Sequence, residues 1–139
     1  MSRIMELLED YAFWDDMARA KRKQIERLRE NKTSIKITYS EAPAGEPESM
    51  ADYAAKKEEL EEDLAEIKDR RMEAFTRIMR LGFRLKSDRQ FDMLYRRNIH
   101  RDSWRRICRD LDISRSAATD LHARMIRALE QMDHESDQG

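Results

Sequence analysis

The chain has 139 residues and a net charge of −1, with 41% charged, 40% apolar and 7% aromatic residues. Such a charge load does not fit inside one thick core, and it suits long helices with solvated outer faces. With 3 Gly and 2 Pro, a turn-rich β-sandwich or barrel is excluded. No apolar run reaches the ~18 residues of a membrane span, and the single cysteine excludes an internal disulfide. We therefore expect a soluble, cytoplasmic, all-α protein without a secretory signal.

The first predicted element is a helix over residues 3–30. Its apolar side chains recur at alternating intervals of three and four residues, as in a coiled coil, with one cation in the series. The series is Ile4, Leu7, Tyr11, Trp14, Ala18, Lys21, Ile25 and Leu28. This spacing predicts a long helix with one apolar stripe that needs a packing partner.

Residues 31–49 interrupt the helical pattern, because both prolines of the chain lie there. From Ser34 to Tyr39, polar and apolar residues alternate as in a strand. The sequence offers no partner strand, so we predict an extended segment that packs along a helix or forms a ribbon with a second copy. The turn formers at 42–47 predict a linker after it.

The second long helix is predicted over residues 49–81, with Ser49 and Asp52 as a capping box and Gly82 as its end. Its apolar stripe has the same spacing as that of the first helix. The stripe contains Tyr53, Lys57, Leu60, Leu64, Ile67, Arg71, Ala74, Ile78 and Leu81. The two helices predict an antiparallel, coiled-coil-like hairpin over residues 1–82, with a second copy or another protein covering its open side.

Residues 83–132 predict three shorter helices, followed by an acidic flexible tail over 133–139. Ser87 with Gln90 opens the first of these helices, while Ser103 and Ser114 cap the other two. We expect the first helix to end near Asn98. The predicted inner faces contain Phe91, Leu94, Tyr95, Trp104, Ile107, Cys108, Leu111, Ala118, Leu121, Met125, Leu129 and Met132.

Basic residues concentrate in this C-terminal part. Residues 84–127 carry twelve cations, eleven of them arginine, against six aspartates. Arginine makes forked hydrogen bonds to phosphate and to guanine, which lysine does not, so the block indicates a nucleic-acid interface. The alternative is a solvated helical surface laced with ion pairs.

The segment from Ile107 to Ala118 has the residue types of a helix-turn-helix. Cys108 is small where two helices would cross, Asp112 tolerates the left-handed backbone of a tight turn, and Ile113 supplies an apolar plug. The side chains that follow Ser114 are small enough to approach a DNA groove. We therefore predict DNA binding, with a packed helical corner as the alternative.

At these residues the sequence resembles the sigma-70 region 4-like helix-turn-helix. The resemblance covers Ser103-Trp104-Arg105-Arg106-Ile107-Cys108 through Ile113-Ser114, and then Arg127-Ala128-Leu129. The whole chain resembles a family of phage and prophage proteins, including its Ile37-Thr38-Tyr39-Ser40 and Pro43 stretch. Cys108, Asp112, Ala118 and the Arg105-Arg106 pair depart from the usual Ala, Gly, Val and acidic residues. The resemblance implies a regulator of late-gene transcription in a bacterial host cell.

Helical geometry predicts which side chains of the last helix meet DNA. Arg115 and Thr119 are expected at base edges, Ser116 at a base or a phosphate, and Asp120 at a cytosine or paired with Arg124. Backbone N–H groups beside the caps Ser103 and Ser114 are expected to bind phosphate. Arginines expected at backbone phosphates are Arg105, Arg106, Arg109 and Arg124.

Catalytic chemistry is not indicated. His100, His122 and His134 lack metal-ligand spacing, Cys108 is expected to be a small packed residue, and no Gly-rich phosphate loop is present. We expect no enzyme activity, no cofactor, no metal and no small-molecule substrate. The expected partners are double-stranded DNA, a second copy as a homodimer, and RNA polymerase. The alternatives are a protein-interaction or scaffold module and a protein like the small subunit of a DNA-packaging terminase.

Overall fold

The computed structural model describes the backbone of residues 2–41 and 47–138, with the side chains of 2–31 and 50–136. These residues form helices and no strands, as the composition predicts. The α-helices are α1 (Arg3–Glu41), α2 (Pro47–Gly82), α3 (Asp88–Leu94), α4 (Trp104–Leu111) and α5 (Arg115–Gln138). None of them combines the length and the apolar character that a bilayer span requires.

Helix α1 corrects the prediction for the segment that follows residue 30. Its backbone is helical through Glu41, so the strand-like stretch from Ser34 to Tyr39 is helical instead. β-Branched residues weaken a helix only slightly, and extending an existing helix requires no new nucleation. The side chains of that stretch and the predicted linker residues 42–46 lie outside the described part of the chain.

Helix α2 begins at Pro47, two residues before the predicted cap Ser49. Proline suits a first helical position, because its fixed φ is helical and its missing N–H has no partner there. The helix ends at Gly82, as predicted. A Cβ on Gly82 would lie 2.9 Å from Leu94 Cδ2, so close packing against α3 explains the glycine.

Three predicted serine caps open the C-terminal helices. Ser87 Oγ accepts from the Gln90 N–H at 3.2 Å, and Ser103 Oγ accepts from the Arg106 N–H at 3.2 Å. Ser114 Oγ accepts from the Ala117 N–H at 3.1 Å. Each cap satisfies an N–H group that has no partner within the helix.

The helix predicted to end near Asn98 ends at Ile99, and its last turn, Tyr95–Ile99, is π-helical. The predicted end of the last helix is wrong. Helix α5 continues to Gln138 through the segment predicted as a flexible tail. The side chains there have partners: Asp133 lies 3.6 Å from Arg3, and Ser136 Oγ accepts from Arg84 at 3.3 Å.

Asp112 has the left-handed backbone expected for the turn between α4 and α5, with φ 53° and ψ 51°. We expect Asp112→Val to lower the free energy of unfolding by about 1–2 kcal/mol, because a β-branched residue clashes in this conformation. Asp112→Gly should cost little or be slightly stabilising. Urea unfolding of both variants measures the difference, and equal losses would contradict the backbone explanation.

The chain packs as two compact units, to which α1 and α2 both contribute. One unit contains residues 1–13 and 71–139, and its main core joins both long helices to the C-terminal helices. The buried residues of this core are Ile4, Leu8, Tyr11, Ala74, Ile78, Met79, Leu94, Ile99, Met125 and Leu129. The C-terminal helices therefore share a core with the first turns of α1 and the last turns of α2.

The other unit contains residues 14–70. Ala18, Ile25 and Ile67 are buried there. Lys21 Nζ lies 3.3 Å from Asp63 Oδ2, and the Arg70 guanidinium lies 5.2 Å from the centre of the Trp14 ring. Early residues of α1 therefore lie beside late residues of α2, so within this unit the two helices run in opposite directions.

Candidate nucleic-acid interface

The crossing of α4 and α5 has a small core of its own. Met93 of α3, Ile107 of α4 and Ala118 of α5 are completely buried there. Partly buried neighbours complete this cluster: Trp104, Cys108, Leu111, Ile113 and Leu121. The predicted inner faces of α4 and α5 are therefore the faces that pack, and the small residues Cys108 and Ala118 lie where the helices meet.

This packing leaves the opposite side of α5 open to solvent. Arg115, Ser116, Asp120 and Arg124 are exposed, while Thr119 is half-buried. On α4 and at the two caps, the predicted residues Ser103, Arg105, Arg106, Arg109 and Ser114 are also exposed. The structure thus brings the predicted residues to the surface at one helix pair, and it leaves their contacts with DNA as a prediction.

The exposed arginines differ in how strongly carboxylates already engage them. Arg106 lies 3.8 Å from Asp110 and 3.9 Å from Asp102, and Arg109 lies 3.5 Å from Asp110. Arg105 and Arg124 have no ion pair with any side chain that the structure describes, so the alternative pairing of Asp120 with Arg124 is not formed. Arg105 and Arg124 are consequently the freer cations for an external phosphate.

Thr119 has less hydrogen-bonding freedom than the sequence suggests. Its hydroxyl lies within donating distance of two carbonyl oxygens of its own helix, Arg115 O at 3.1 Å and Ser116 O at 3.0 Å. The proton is therefore used inside α5, as is common for threonine in helices. A base contact would have to use the oxygen lone pairs or the methyl group, which suits the methyl of thymine.

The first residues of α4 and α5 touch each other through an aromatic contact. Trp104 begins α4, Arg115 begins α5, and the Arg115 guanidinium carbon lies 5.1 Å from the centre of the Trp104 ring. Two helix N-termini, each with a partial positive charge, therefore meet beside Arg115. This contact between residues distant in sequence gives the Arg115 side chain a defined support.

A second arginine, Arg97, lies outside the residues predicted to contact DNA and packs on the same ring. The Arg97 guanidinium carbon lies 4.4 Å from the centre of the Trp104 ring, and Arg97 Nη1 donates to the Asp102 carbonyl at 2.9 Å. Burial lowers the pKa of Arg97, and the positive charges of Arg115 and Arg101 lower it further. Arg115 and Arg101 therefore each lie close enough to Arg97 for their positive charges to act on it.

The His122 ring packs against the Trp104 ring. Its ring meets Trp104 edge to face at 5.5 Å, and its Nε2 lies 3.0 Å from Asn98 Oδ1. Burial lowers the pKa of His122, and the positive charge of Arg97 adds to the effect. His122 is half-buried, at the edge of the core.

Within the described ranges 2–31 and 50–136, no three His, Cys, Asp or Glu side chains come together as a metal site would require.

The chain was compared with models of known families, with curated proteins and with solved structures, and it has no match in any of the three.

Proposed function

We propose that the protein is a DNA-binding transcriptional regulator of phage or prophage type. In this proposal α3, α4 and α5 form a three-helix helix-turn-helix module, and α5 enters the major groove. The long helices form a hairpin that mediates self-association or contacts RNA polymerase. Arg115 and Thr119 would meet base edges, while Arg105, Arg106, Arg109 and Arg124 would contact phosphates.

One observation carries the proposal: the exposed first turns of α5 project arginine from a closely packed helix crossing. Ile107 and Ala118 are completely buried in this crossing, and Asp112 turns the chain between the two helices with a left-handed backbone. Arg115 and Ser116 are exposed on the first turn of α5, where recognition helices usually meet bases. A packed helical corner without a DNA role would not require this concentration of arginine.

Selection of bound duplexes from a random DNA pool tests the function directly. We expect enrichment of a defined sequence, with retention that falls steeply as salt rises because bound phosphates release counterions. A two-fold dimer would enrich a palindrome whose half-sites lie about 34 Å apart, one turn of DNA. A pool that remains random, with no retention at low salt, would favour the scaffold alternative. Co-purification with a large terminase subunit would favour the packaging alternative.

A further inference from the structure

We propose that Arg97 binds a phosphate of the DNA backbone and that the ring of Trp104 holds it beside Arg115. The π-helical turn would thereby extend the DNA interface beyond α4 and α5. This inference rests on the proposed function and adds to it a residue outside the predicted recognition and phosphate sets.

The position of Arg97 in the fold favours a functional role. It lies in the π-helical turn Tyr95–Ile99, where the His100 N–H bonds to Tyr95 O at 2.8 Å. Such turns are rare and recur at functional sites. This one brings Arg97 to the ring on which Arg115 rests, and so to the first turn of α5.

The Arg97 side chain is held in place, yet it remains able to bind an anion. One of its N–H groups donates to the Asp102 carbonyl, and its guanidinium faces the Trp104 ring. Arginine has five N–H donors, so others stay available for an external acceptor. A guanidinium supported in this way loses little side-chain entropy when it binds an anion.

No carboxylate among the described residues neutralises Arg97. Arg97 has no ion pair with any carboxylate that the structure describes, although Glu9 lines the same groove of about 270 Å³. The positive charge of Arg115 also lowers the pKa of Arg97, which shows that the two cations lie close to each other. A phosphate bound to Arg97 would offset this repulsion, and its oxygens match the fork of a guanidinium. DNA is the favoured source of that phosphate, because the group adjoins the exposed first turn of α5.

Duplex affinity tests the proposal through Arg97→Gln and Arg97→Lys. We expect Arg97→Gln to weaken binding about tenfold on every duplex tested and to lower the salt slope by about one. Arg97→Lys should keep most of the salt slope but lose affinity for the duplex, because lysine retains the positive charge without the forked N–H donors of a guanidinium. Arg70→Gln is the matched control: it removes an arginine that lies 5.2 Å from the centre of the Trp14 ring and belongs to the other compact unit.

The His122 ring supplies a second measurement, by NMR titration of the histidines. The charge of Arg97 helps to lower the pKa of His122. Arg97→Gln should therefore raise that pKa in the free protein, which also checks that the variant is folded. A bound phosphate should raise the pKa of His122 in the wild type, because the phosphate offsets the charge of Arg97. The same phosphate should change that pKa less in the Arg97→Gln variant.

The outcomes separate this inference from the proposed function. If the wild type binds no duplex, both are overturned. If it binds DNA and Arg97→Gln binds equally well with an unchanged salt slope, only the inference is overturned. The last experiment repeats the titration with inorganic phosphate at matched ionic strength. A His122 shift with phosphate but none with DNA would mean a free-anion site and would overturn the assignment to DNA.

Discussion

The double variant Arg115→Ala, Arg124→Ala should lose most of its retention on duplex DNA. Removing a base-reading arginine costs about 1–3 kcal/mol, and removing a phosphate contact lowers the salt slope by about one. Both side chains are exposed and neither has a carboxylate partner among the described residues, so the variant should fold and lose only the contact of Arg115 with the Trp104 ring. Binding curves at several salt concentrations, with and without the selected sequence, measure both effects.

A matched control for this variant is Arg22→Ala, Arg27→Ala. It removes the same charge from exposed positions of α1 in the other compact unit. If DNA retention responds only to net charge, the two double variants will elute together. Equal retention of the wild type and the Arg115, Arg124 variant would contradict the proposed roles of these two residues.

The second large effect is expected from the core of the helix crossing. Ile107 is completely buried against Met93 and Ala118. Ile107→Ala should lower the free energy of unfolding by about 2–5 kcal/mol, because it leaves a cavity that the surrounding helices fill only in part. Ile107→Val should cost about 0.5–1.5 kcal/mol. Since small domains are stable by only about 5–15 kcal/mol, the alanine variant should be marginal at 37 °C.

Urea unfolding followed by circular dichroism measures these losses. Met72→Ala serves as the control, because Met72 is 59% exposed and its truncation should change stability little. Similar losses for Met72→Ala and Ile107→Ala would mean that the buried cluster does not dominate the stability of the module. At temperatures where Ile107→Ala remains folded, weakened DNA binding would indicate that the crossing positions α5.

Local features of the C-terminal helices could be predicted from the sequence. The serine caps at 87, 103 and 114 and the turn at Asp112 depend on neighbouring residues along the chain, and the structure confirms each of them. The completely buried Ala118 was also predictable, because helical periodicity assigns residues to a face without knowing the partner. The same reasoning failed at residues 34–39, where alternation indicated a strand but the helix simply continues.

The sequence by itself determined the all-helical class, the serine caps, the inner faces of α4 and α5 and the concentration of arginine near α5. Only the tertiary structure decided that α1 and α2 share a core with α5, and that Arg97 and Arg115 meet at Trp104. Capping and periodicity involve residues within a few positions of one another, which a linear pattern records. Contacts between distant helices depend on how those helices pack in three dimensions, and no local spacing records that.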